Sequence, residues 1–74
     1  MNKTETARDY LNKNEIKKCL AIVKGFKIGI TKEESGIITR GYECLIRPQF
    51  YKQIGFDPAQ ETKKAIILAR RVLQ

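Results

Sequence analysis

Apolar residues recur along the chain at three- and four-residue spacing, and polar punctuation cuts the pattern into short blocks. That spacing suits amphipathic helices, whereas strands alternate. Thr4 is placed to cap a first helix through about Leu11, with Ala7, Tyr10 and Leu11 as its apolar side. Residues 1–3 ahead of it are expected to fray. Asn14 is a good N-cap for a second helix over about 15–28. Ile16, Cys19, Leu20, Val23 and Phe26 mark its apolar face, and Gly29 is placed to stop it.

Thr31 followed by Glu34 is a capping box and opens a third helix over 32–46. On a helical wheel Ile37, Ile38, Gly41, Tyr42, Cys44, Leu45 and Ile46 share one arc of about 200°. A glycine on that arc either admits a neighbouring helix or is merely tolerated. The competing reading is a β-hairpin over 26–46, motivated by Gly36 and Gly41, since glycine costs a helix ~1 kcal/mol relative to alanine. Strict alternation fails there, because either strand face would mix charged and aliphatic residues. Pro48 disfavours helix at Arg47 and opens a short helix over 48–54, closed by Gly55. Asp57 and Pro58 start a last helix over 58–73, with aspartate capping and proline in the first turn.

The expected fold is all-α, a compact bundle of about four helices plus a short helical turn, in a single small helical domain over 1–74. Its expected core is Ile16, Leu20, Val23, Ile38, Tyr42, Leu45, Ile66, Ala69 and Leu73, each on an apolar arc.

The 74 residues hold one core. At this size a core supplies ~3–5 kcal/mol, which leaves little volume for a deep substrate pocket. The longest apolar runs, 19–23 and 65–69, are five residues, whereas a membrane span needs about 20. The first residues are polar and no signal-peptide pattern follows, so a cytoplasmic location is expected. Cys19 and Cys44 sit among aliphatic residues and are expected to be reduced, buried thiols.

Catalytic chemistry finds few candidates. The chain has no histidine, the side chain best suited to proton transfer near neutral pH. Ser35 is its only serine and lies in no nucleophile elbow. The cysteines lack metal-ligand or dithiol spacing, and the glycines form no phosphate loop. Glu33 and Glu34 complement the dipole at a helix start. No enzyme, cofactor or metal is expected. A helix-turn-helix fits poorly too, since those two carboxylates would occupy the first turn of the recognition helix, against bases and phosphates.

Fifteen Lys and Arg against eight Asp and Glu give a net charge of +7, which favours anionic partners. The basic residues gather in two places. On the last helix Lys63, Lys64, Arg70 and Arg71 surround Ile67 on the polar half, and these five are the expected contact surface. A secondary stripe, Lys13, Lys17, Lys24 and Lys27, follows one edge of the second helix, with no acid expected to relieve the repulsion of Lys13 and Lys17. Phe50, Tyr51 and Phe56 are expected to plug a gap between the longer helices. The sequence thus points to a non-enzymatic binding or regulatory module, acting through a helical face on an unknown protein or anionic macromolecule. The alternative is nucleic-acid binding through phosphate-backbone contacts.

Overall fold

Side-chain caps decide where most of the helices begin. In the computed structural model, which describes residues 2–27 and 29–73, Asn2 accepts a hydrogen bond from the Glu5 backbone N–H and opens α1 (Lys3–Asn12). Thr31 and Glu34 form the reciprocal capping box of α3 (Lys32–Ile46). Asp57 accepts from the backbone of Ala59 and Gln60 and opens α5 (Pro58–Val72), with Pro58 in the first turn. Between them lie α2 (Ile16–Val23) and the short α4 (Pro48–Gln53).

Helix C-termini follow local rules as well. The Gly55 N–H reaches the Lys52 carbonyl and the Phe56 N–H reaches that of Tyr51, with Gly55 at φ +97°. This is a Schellman stop, which requires the left-handed conformation glycine adopts freely. Asn14 does the same for α1. Its φ is +61°, its N–H bonds the Leu11 carbonyl, and the Glu15 N–H bonds that of Tyr10.

These geometries correct several expectations. The first helix is capped by Asn2 and not Thr4, and it begins at Lys3, while Met1 lies outside the described residues. Asn14 ends α1 and does not cap α2, whose cap position is Glu15 without a side-chain bond. The second helix stops at Val23 and not near Ile28, which lies outside the described residues, and Gly29 sits in the following irregular segment. There is no strand among the described residues, and 32–46 is one helix, so the hairpin reading fails.

The architecture is all-α, with α3 and α5 as the central packed pair and the α1–α2 hairpin against them. Ala7, Cys19, Leu20, Val23, Ile38, Ala65, Leu68, Ala69 and Leu73 make one buried cluster. Ile16 and Tyr42 pack at its edge. Ile66 is half-buried, and Leu45, expected inside, is exposed. The wide apolar arc of α3 exceeds what the core can cover, so Ile37, Leu45 and Ile46 stay at the surface. α5 buries Ala65, Leu68 and Ala69 and keeps Lys63, Lys64, Ile67, Arg70 and Arg71 in solvent.

Candidate functional site

The outward face of α5 lies opposite its buried residues Ala65 and Ala69. Ile67 stands at the middle of this face and is 61% exposed. Lys63 and Arg70 lie to one side of it, Lys64 and Arg71 to the other, and all four are exposed. The structure therefore assembles all five expected residues on one surface.

Ile67 separates two shallow depressions. The larger lies between the C-terminal half of α3 and α5, where Leu45, Pro48, Ile66 and Ile67 supply apolar wall and Lys63 and Arg70 basic wall. The smaller is lined by Ile37, Ile67 and Leu68, with Lys64 and Arg71. A single exposed isoleucine would be unremarkable, but here it is continuous with apolar wall on both sides.

The four cations differ in their commitments. Arg71 donates to the Glu34 carboxylate, and Lys64 lies 3.3 Å from that of Glu61. Glu61 is itself only 11% exposed and also holds Arg40 at 3.3 Å. Arg40 in turn stacks on Phe56, 4.8 Å from the ring centre. Glu34 is held below the ordinary glutamate range, first by the Thr31 backbone N–H it accepts and also by Arg71. Lys63 and Arg70 make no ion pair among the described residues. One side of the face is thus partly neutralised by its own acids, and the other carries positive charge that no acid among the described residues offsets.

The secondary stripe is not brought together as one helical edge. Only Lys17 lies within α2. Lys13 is the C-cap of α1 and pairs with Asp9 at 3.0 Å, an acid one turn back that relieves it and raises its pKa. Lys24 follows α2 and sits 4.7 Å over the Tyr42 ring, and Lys27 lies in the irregular segment. The aromatic trio makes edge contacts, Phe50 with Tyr51 at 5.2 Å and Tyr51 with Phe56 at 5.9 Å. Phe50 is nonetheless 52% exposed, so it does not plug a gap.

Comparison with protein-family models, curated proteins and solved structures finds no match. Leu45 and Ile37 are exposed and Ile66 only half-buried, although wheel arcs place all three with the core. Cys19 and Cys44 are buried and unpaired, and burial raises both thiols, with the nearby Glu61 charge adding to Cys44. No helix of the described residues is long and apolar enough to cross a membrane.

Proposed function

We propose that the chain is a non-enzymatic binding module that engages a protein partner through the outward face of α5. The observation that carries the reading is the exposed Ile67 ridge between two apolar depressions, flanked by Lys63, Lys64, Arg70 and Arg71. Interfaces concentrate affinity in desolvated apolar anchors ringed by polar contacts. The partner that fits offers apolar side chains bordered by carboxylates. Nucleic-acid binding through phosphates is less well supported, because Lys64 and Arg71 already hold Glu61 and Glu34 and the wall between the cations is apolar. A cytoplasmic location belongs to the same reading, since two unpaired thiols suit a reducing compartment.

Affinity capture from native extract with nuclease treatment tests the function when the wild-type chain is compared with two variants. Lys63→Gln/Ile67→Ala/Arg70→Gln should lose the captured partner, whereas Lys17→Gln, on α2, should keep it. Retention by the triple variant rules this face out. Capture that disappears with nuclease, with affinity falling log-linearly in salt, supports phosphate contacts instead.

A further inference from the structure

Resting on the reading of this face as a binding surface, we infer that its occupant is an acidic amphipathic helix. It lies along the α3–α5 groove with its carboxylates on Lys63 and Arg70. Three observations lead there.

The first concerns backbone polarity. The groove wall is largely apolar, with Leu45, Pro48, Ile66 and Ile67 along it. An extended segment laid there would bury unpaired backbone groups at a cost. The neighbouring walls are helices, so no sheet edge exists among the described residues to pair with it. A helix brings its own backbone hydrogen bonds and presents apolar side chains at i, i+3, i+4 and i+7.

The second is length. The groove wall extends along α5 from Pro58 to Arg70, roughly 18 Å at 1.5 Å per residue, or just over three helical turns.

The third is charge. Lys63 and Arg70 lie on the groove wall and make no ion pair among the described residues, while Lys64 and Arg71 on the far side of Ile67 hold Glu61 and Glu34. The two uncommitted cations are seven residues apart, about 10 Å along the axis. They match acids two turns apart on a partner helix. A second copy of the chain seated symmetrically would instead oppose basic wall with basic wall, in a molecule of net charge +7.

The test uses the full chain and a synthetic helical peptide of about five turns. The peptide carries leucines at i, i+3, i+4 and i+7 and two flanking glutamates seven residues apart. A second peptide has glutamines at those two positions, a third scrambles the first, and a mixed-sequence DNA duplex is a fourth probe. Affinity is read by calorimetry, and the location of binding by amide chemical shifts. The glutamate peptide should bind at least about fivefold tighter than the glutamine peptide, the scale of two partly exposed ion pairs. Its shifts should centre on Leu45, Ile66 and Ile67. Lys63→Gln/Arg70→Gln, with an unchanged helical spectrum, should erase that preference, and Lys17→Gln, on α2 and away from the groove, should retain it. Equal affinity for the glutamate, glutamine and scrambled peptides overturns the inference, as does absence of binding. If the shifts still fall on α5 in that case, the face survives as a binding surface for a different occupant. Shifts confined to α1 and α2 overturn both readings. Stronger perturbation of the same α5 amides by the duplex replaces the acidic helix with phosphate contacts.

Discussion

Gly41 of α3 and Ala65 of α5 face one another so closely that a methyl group on Gly41 would overlap the Ala65 methyl and stand 3.2 Å from the Glu61 carbonyl oxygen. The missing side chain is what lets these two helices share a core. Gly41→Ala should therefore destabilise the domain by about 1–3 kcal/mol, as overpacking does, despite a gain of ~1 kcal/mol in helix propensity. Gly36 lies in the same helix with open space around it, so Gly36→Ala should stabilise by about 0.5–1 kcal/mol. Urea denaturation of the two variants should move in opposite directions. A neutral or stabilising Gly41→Ala would refute the close approach.

The capping box gives α3 an acid-sensitive start. Glu34 is held below its ordinary value of 4.5 by the Thr31 N–H it accepts and by Arg71. A lowered native pKa means stability that is fully present above the unfolded value and lost as pH falls through the native one. Glu34→Gln should flatten that part of the pH–stability curve below about pH 4.5, while Thr31→Ala should cost about 1 kcal/mol at neutral pH. Acid titrations of both variants with wild type, followed by helical ellipticity, check this.

Both thiols should resist chemistry in the native state. Burial raises Cys19 and Cys44 above 9.0, and only thiolates are reactive. Native labelling should be slow for both and become rapid on denaturation. For a raised pKa the sign is opposite to that of Glu34: stability is complete below the unfolded value and declines as pH climbs through the native one. Fast labelling of either thiol in the folded chain would contradict its burial.

The two sides of the α5 face should also differ in what they do for the fold. Lys64→Gln/Arg71→Gln removes ion pairs to Glu61 and Glu34, each worth up to about 1 kcal/mol at the surface. Lys63→Gln/Arg70→Gln removes none among the described residues and should shift thermal stability by no more than about 0.5 kcal/mol. Equal losses in the two variants would show that the partitioning of charge is not real.

What the sequence made legible is local. Thr31 with Glu34, Asp57 with Pro58, and Gly55 each act on backbone groups within a few residues, so spacing alone located the ends they set. Asn14 was ambiguous because asparagine serves both as an N-cap and as a left-handed stop, and only the Schellman bonds decide between them. Phe26 misled differently. It continues the three-residue spacing from Val23 and packs on the core, yet does so from beyond the helix end. Leu45 and Ile66 fell on apolar arcs, but which part of an arc is covered depends on how helices cross, and Gly41 lies at that close approach. For the candidate site, the shared outward placement of the five residues on α5 was legible from a wheel. The Arg71–Glu34 and Arg40–Glu61 pairs were not, since their partners lie 37 and 21 residues apart.

Arg8 reaches from α1 across 65 residues of sequence to donate two hydrogen bonds to the Leu73 carbonyl at the end of α5. Closing so long a loop is entropically unfavourable until other contacts have shortened it, which places this bond late in the order of folding events. The nucleus should instead form where α3 meets α5. Arg8→Ala is accordingly expected to accelerate unfolding while leaving the refolding rate nearly unchanged, a pattern that stopped-flow kinetics reads directly. A matching slowdown of refolding would move Arg8 into the nucleus. On this ordering the first helix is the last to lock, and the first to let go when the chain is pulled or proteolysed.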